Sequence, residues 1–114
     1  MNHQMSSVEM KNCFENCQQC HVICLQTAMN HCLEAGEAHV EPEHMRLMLN
    51  CAEICQTTAN FMISNSSVSS AVCQACAVVC TACADSCEEV GEMSECVEAC
   101  RRCAESCEKM SKMA

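Results

Sequence analysis

The cysteines of this chain recur at alternating separations of three and four residues. The stretch CQACAVVCTACADSC, residues 73–87, holds five of them, and no glycine or proline interrupts it. Residues spaced in this way lie on one stripe of an α-helix, the stripe that leucine fills in an ordinary helical bundle. The spacing therefore predicts helices whose buried faces are made of sulfur.

Four such helical segments are separated by helix-breaking residues. We expect helices at about 7–35, 42–64, 68–90 and 93–112, with breaks at Gly36, in the serine-rich run 64–70 and at Gly91. Because the connections are short, consecutive helices should be antiparallel neighbours. The sequence predicts an all-α fold, an antiparallel up-down four-helix bundle with a cysteine-lined core, and residues 1–114 as a single domain.

Three of the segments repeat the spacing C-x3-C-x2-C-x3-C, at residues 13–24, 76–87 and 96–107. The second segment keeps one C-x3-C pair and places Thr58 and Met62 on the rest of its stripe. Every cysteine except Cys32 falls on a core position, and Cys32 lies just beside the stripe next to His31, which is on it. Sulfur is therefore expected from one end of the core to the other.

Composition agrees with a helical core built from small sulfur-containing side chains. The apolar fraction is 50%, with 16 Cys and 10 Met, and free cysteine behaves as a small buried hydrophobe. The formal charge of -9 and the scattered basic residues argue against nucleic acid as a partner. No apolar run is long enough to predict a membrane span. The N-terminus MNHQMSSVEMKNC lacks the features of an export signal, so we expect a cytoplasmic protein.

Free thiols in a reducing compartment indicate a metal site rather than disulfides. Soft thiolates select Cu(I), Zn(II) or iron–sulfur clusters. Zinc sites usually pair C-x2-C knuckles on turns, whereas ladders of thiols along helices suit Cu(I), which accepts two thiolates. If each thiolate bridges two ions, the capacity approaches one Cu(I) per cysteine, roughly sixteen per chain. The predicted ligands are Cys13, Cys17, Cys20, Cys24, Cys32, Cys51, Cys55, Cys73, Cys76, Cys80, Cys83, Cys87, Cys96, Cys100, Cys103 and Cys107.

With four helical segments, three C-x3-C-x2-C-x3-C cassettes and a cysteine core, residues from about 6 to 110 resemble the cysteine-rich four-helix-bundle copper storage proteins. The resemblance implies storage of many Cu(I) ions in each bundle and association into a tetramer of bundles. Exported members carry a twin-arginine signal, which this sequence lacks, so the chain is similar to the cytosolic branch. Thr58 and Met62 depart from the full cassette. The expected partners are copper ions, further copies of the chain and a copper chaperone.

The two ends of the predicted bundle differ in their other side chains. One end, which we call the mouth, is formed where the first and third helices close and the second and fourth begin. It gathers the expected auxiliary ligands His31, His44, Met48 and Met93. The opposite end, which we call the second end, should be plugged by the bulky residues Met10, Phe14, Phe61, Met62, Val72 and Met110. His3, His21 and His39 lie off the stripe and are expected at the surface.

Alternative functions remain open from the sequence. Zinc or general heavy-metal sequestration uses the same thiolates and is the main competitor. An iron–sulfur redox protein is disfavoured because the ferredoxin spacing C-x2-C-x2-C-x3-C-P is absent. A disulfide-stapled helical protein would require strained pairs within helices. An enzyme is not expected, because no cysteine has a histidine and an acid arranged beside it in the sequence.

Overall fold

The structure, a computed structural model, describes residues 8–113, and the predicted first helical residue, 7, lies outside this range. Helix α1 (Val8–Gln26) continues into a π-helical segment (Thr27–Cys32) and a last α-helical turn (Leu33–Ala35). A 3-10 turn (Glu37–Val40) leads to α2 (Pro42–Ile63), which is followed by α3 (Ser69–Val90) and α4 (Ser94–Ser111). The described residues contain helices and turns without a strand. The all-α prediction is confirmed.

Each long helix packs against two others, so the four form a closed ring around the core. Helix α1 contacts α2 and α4, and α3 contacts the same two helices from the other side. The assembly is a rod of 51 × 20 × 19 Å. This arrangement confirms the up-down four-helix bundle. One helix, α3, is long and apolar enough by composition to cross a membrane, a property that core helices of soluble proteins share.

Glycine and proline set the turns at the mouth. Gly36 and Gly91 have φ angles of +69° and +87°, which side chains with a Cβ rarely adopt. Their amides donate to the carbonyls of Cys32 and Cys87, both at 3.0 Å, and so end the helices. Pro42 occupies the first turn of α2, where its missing N–H costs nothing. The cysteine stripes therefore stop at the glycines and resume after the turns.

The π-helical segment Thr27–Cys32 changes which side chains face the core. In a regular α-helix His31, seven residues after Cys24, would lie on the same stripe. A π turn bonds residue i to i+5 and holds about one residue more than the 3.6 of an α turn. The stripe consequently passes through Ala28 and Cys32, which are fully buried, while His31 is exposed. The predictions that His31 lies on the core stripe and Cys32 beside it are wrong.

Candidate metal centre

Sulfur fills the interior of the bundle. All sixteen cysteines are free thiols, and none has more than 1% of its surface exposed. The shortest of the Sγ–Sγ hydrogen-bond distances, between Cys55 and Cys80, is 3.5 Å, far from the disulfide length of about 2.05 Å. These thiols come from all four helices, since the stripe of cysteines on each helix faces the long axis of the bundle. The core is thus a set of touching, unbonded sulfur atoms.

The most regular group of thiols joins three helices near the middle of the bundle. Cys20 and Cys24 of α1, Cys51 of α2 and Cys100 of α4 contact one another along all six edges of a tetrahedron. The Sγ–Sγ distances are 3.8, 3.7, 3.8, 3.8, 3.6 and 3.8 Å. A tetrahedral site with metal–sulfur bonds of about 2.3 Å has edges of about 3.8 Å. The group therefore has the dimensions of a four-thiolate metal site without rearrangement.

Neighbouring groups of thiols share members, so the sites run together along the axis. Cys20 also belongs to a second group, Cys103 links that group to a third, and Cys107 links the third to a fourth. Within each group the sulfur atoms all lie within 4.8 Å of one another. The last three groups are Cys20, Cys55, Cys80 and Cys103; Cys17, Cys76, Cys103 and Cys107; and Cys13, Cys73 and Cys107. An ion bound in one group is therefore never far from ligands of the next.

Hydrogen bonding among the thiols makes their acidities unequal. The pKa of Cys20 is far below the usual thiol value, chiefly through its hydrogen bond with Cys100 and then through those with the other surrounding thiols. The pKa of Cys24 is far above it because hydrogen bonds with Cys100 and Cys20 keep its proton in place, and burial adds to the effect. Neighbouring thiols thus cannot all ionise together unless cations replace their protons. The core is built to exchange protons for metal.

At the mouth a thioether joins the thiols. Met48 is fully buried, and its Sδ accepts S–H hydrogen bonds from Cys83 at 3.6 Å and from Cys87 at 3.4 Å. Met93, of which 4% is exposed, lies at the same end. Both predicted methionines are therefore buried at the mouth, and Met48 contacts two predicted ligands directly.

His44 is held with one ring nitrogen toward the core. Its Nδ1 lies 2.8 Å from the Ser86 Oγ, and its Nε2 lies 3.8 Å from the Cys32 Sγ. Burial lowers the pKa of His44, so the ring is neutral at pH 7. When Nδ1 donates to Ser86, Nε2 keeps a lone pair directed at Cys32. Sequence reasoning found His44 but missed Ser86, because the contact joins α2 to α3.

Two histidines expected at the surface, His39 and His21, are buried or half-buried. His39 is buried rather than exposed, because the 3-10 turn folds it inward against the exposed His31, with ring centroids 4.9 Å apart. Among the described residues, its Nδ1 is the buried side-chain nitrogen that lacks a hydrogen-bond partner. His21 is half-buried, and its Nδ1 lies 2.7 Å from the Ala52 carbonyl of α2. His3 lies outside the described residues.

Carboxylates surround the mouth. A cavity of about 310 Å3 opens there, lined by Cys87 and Met93 together with Glu88, Glu92 and Glu98. Further exposed carboxylates stand on the adjoining turns and helix ends, namely Glu34, Glu37, Glu41, Glu43, Glu89 and Glu95. A rim of one sign raises the local concentration of oppositely charged ions. The mouth therefore attracts cations toward buried soft ligands.

The second end is less completely plugged than predicted. Met62 is fully buried there, and Phe14, Phe61 and Val72 are half-buried. A cavity of about 310 Å3 nevertheless opens between the helix ends, and Cys73 forms part of its wall. The remaining lining residues are Met10, Ser66, Ser67, Ser69, Ser70, Met110 and Met113.

A four-helix bundle with a continuous thiol core and imidazole and thioether groups at one end is a soft-metal-binding protein. The copper storage protein family model matches residues 6–112. The chain belongs to the copper storage protein family, and the resemblance seen in its cysteine cassettes is confirmed.

Solved structures agree with this assignment. The Nmul_A1745 protein from Nitrosospira multiformis is 55% identical, with 93% of this chain and 97% of that chain covered and a TM-score of 0.91. The Cu(I)-bound copper storage protein BsCsp3 is 30% identical, covering 90% and 98%, with a TM-score of 0.84. A cytosolic copper storage protein from Streptomyces lividans with five coppers is 32% identical, covering 93% and 94%, with a TM-score of 0.76. A search of curated protein sequences found no match.

Proposed function

We propose that this protein stores Cu(I) in its core, with the sixteen cysteines as ligands and roughly one ion per thiolate at saturation. The observation that carries the proposal is the continuity of the sulfur network, in which groups of thiols with sulfur atoms within 4.8 Å of one another share Cys20, Cys103 and Cys107. A protein that binds one metal ion would need only one such group of thiols. The Cu(I)-bound and copper-loaded relatives support the same function.

Charge neutrality favours Cu(I) as the stored metal. One Cu(I) per thiolate leaves no net charge in the core, whereas Zn(II) held by four thiolates leaves two negative charges. Uncompensated charge in a core that excludes water is strongly destabilising. Each Cu(I) that displaces a thiol proton should therefore stabilise the bundle, because the metal binds the folded state.

The mouth is the proposed route of uptake. His44, Met48 and Met93 act as weak relay ligands between solvent and the thiols, and the exposed His31 together with His39 captures metal before them. We further propose a cytoplasmic, non-enzymatic protein of one domain that assembles as a tetramer and receives copper from a chaperone. The acidic rim fits a chaperone whose docking face is basic.

Anaerobic titration of the fully reduced protein with Cu(I), against a chromophoric chelator, tests the storage function. We expect saturation near one ion per cysteine, with about one proton released for each ion bound. A Cys80→Ser variant should hold about one ion fewer, whereas the matched Thr81→Ser variant, which changes the neighbouring exposed residue, should hold as many as the parent. Saturation at four or fewer ions would exclude a filled core.

Zinc sequestration is a second candidate because the Cys20, Cys24, Cys51 and Cys100 tetrahedron has the edge lengths of a four-thiolate zinc site. The reduced protein should then bind Co(II) with the visible spectrum of a tetrahedral thiolate complex, and Cys51→Ser should reduce the intensity of that spectrum. Storage of copper predicts that stoichiometric Cu(I) displaces the divalent ion. Persistence of the Co(II) spectrum after Cu(I) addition would favour the zinc function instead.

A further inference from the structure

The cavity at the second end brings three thioethers to one thiol. Met10 and Met110 are half-buried, Met113 is 43% exposed, and all three line the same cavity as Cys73. The methionines come from the start of α1 and from the end of α4 and the residues after it, whereas Cys73 comes from the first turns of α3. Residues from separate parts of the chain therefore converge on a single opening.

Methionine often fills irregular gaps in a core, but here the gap stays open. The cavity beside the three methionines measures about 310 Å3, room for several water molecules at the ~30 Å3 each occupies in the liquid. Leucine or isoleucine would close an apolar end with better-defined rotamers. The thioethers therefore border an accessible space.

The chemistry of the cavity matches a soft, monovalent cation. Thioether and thiolate sulfur select Cu(I), and thioethers bind without adding charge. Cys73 also lies within 4.8 Å, sulfur to sulfur, of Cys13 and Cys107, the last thiol group of the core. An ion bound at Cys73 would therefore be next to the stored metal.

We propose that this cavity is a distinct Cu(I) site in which the Cys73 thiolate is joined by thioethers of Met10, Met110 and Met113. Binding replaces the Cys73 proton, which leaves to solvent, by one Cu(I) ion. The site gives the stored metal a second opening to solvent, opposite the mouth. The proposal rests on the storage function and adds ligands that are not cysteines at the second end.

Nuclear magnetic resonance of the full chain labelled with methyl-13C methionine tests the site. The reduced protein is saturated with Cu(I) and the bound ions are counted. We expect the methyl signals of Met10, Met110 and Met113 to shift, while that of Met29, which lies exposed on the π-helical segment, stays in place. Unshifted second-end signals in a fully loaded protein would overturn the proposal.

Two cysteine variants separate coordination from general repacking. Cys73→Ala should remove the shifts of the three second-end methyls, and the matched Cys87→Ala change at the mouth should leave them intact. Cys73→Ser serves the same purpose if the alanine variant is unstable. Persistent shifts in both Cys73 variants would also overturn the site. Failure of the storage function would appear separately, as a low copper count in the parent protein.

Discussion

The mouth and the second end of the bundle present different ligands to solvent. At the mouth, Met48 contacts two thiols, His44 directs a neutral ring nitrogen at Cys32, and carboxylates stand around the opening. At the second end the cavity is bordered by thioethers and serine hydroxyls. Both ends lead to the same sulfur column, so under the proposed function the difference concerns how metal arrives and leaves.

Charge sharpens this contrast. At the second end the exposed Lys11, Lys109 and Lys112 offset nearby exposed carboxylates, namely Glu9, Glu105 and Glu108. The mouth instead combines acidic residues with the exposed Arg46, which pairs with Glu43. An acidic opening and one of balanced charge favour different donors because the field around an opening steers what approaches it. The mouth therefore suits cationic copper donors, and the second end lacks this electrostatic attraction.

The largest expected effect follows from removing the proposed relay ligands of the mouth, His44, Met48 and Met93. The variant H44L/M48L/M93L should take up Cu(I) from a cationic acetonitrile complex about tenfold more slowly, a barrier change of ~1.4 kcal/mol. Its final capacity should be almost unchanged, because the thiols remain. Stopped-flow ultraviolet absorption of the copper–thiolate bands measures the rate. The matched variant M10L/M110L/M113L should slow the same reaction less, and equal slowing would contradict the assignment of the mouth as the main route.

A smaller effect is expected from neutralising the acidic rim. With E37Q/E41Q/E92Q, uptake from the cationic complex should fall about threefold at low salt, because steering of the cation is weakened. The difference should vanish near 1 M salt, where the Debye length is about 3 Å. The control E9Q/E105Q/E108Q removes the same charge nearer the second end and should behave like the parent. If both variants slow equally, net charge rather than the mouth controls uptake.

A change of about one stored ion tests the gap that Thr58 leaves in the row of thiols on α2 toward the second end. Thr58 is fully buried on the α2 stripe, and its hydroxyl donates to the Ile54 carbonyl at 2.7 Å, so it is satisfied within its own helix. Thr58→Cys should raise the Cu(I) capacity by about one, because the new thiol faces the core. The loss of the hydrogen bond costs the metal-free protein about 1 kcal/mol. The isosteric Thr58→Val control should leave the capacity unchanged.

The sequence shows which face of each helix is buried, because the spacing of the cysteines has the same period as the α-helix. It predicted the bundle and placed Thr58, Met48 and His44 inside it. The prediction failed where the backbone is not a regular α-helix and the 3.6-residue period no longer applies. The π-helical segment reverses the burial of His31 and Cys32, and the 3-10 turn buries His39, and neither irregularity has a periodic signal. Contacts between helices, such as His44 with Ser86, depend on packing that a single-helix pattern does not contain.

The smallest expected effect concerns the additional residue that the π-helical segment holds compared with a regular α-helix. Asn30 is exposed, and its side-chain amide donates to the Gln26 carbonyl. Its deletion would place Cys32 seven residues after Cys24. Cys32 would then reach the core on a regular α-helix, so we expect unchanged helix content by circular dichroism and unchanged Cu(I) capacity. The matched deletion of the exposed Gln18 lacks a π turn to absorb it. That deletion should rotate Cys13 and Cys17 away from the stripe and lower the capacity. Equal losses in the two variants would show that the π turn does not set the phase of Cys32.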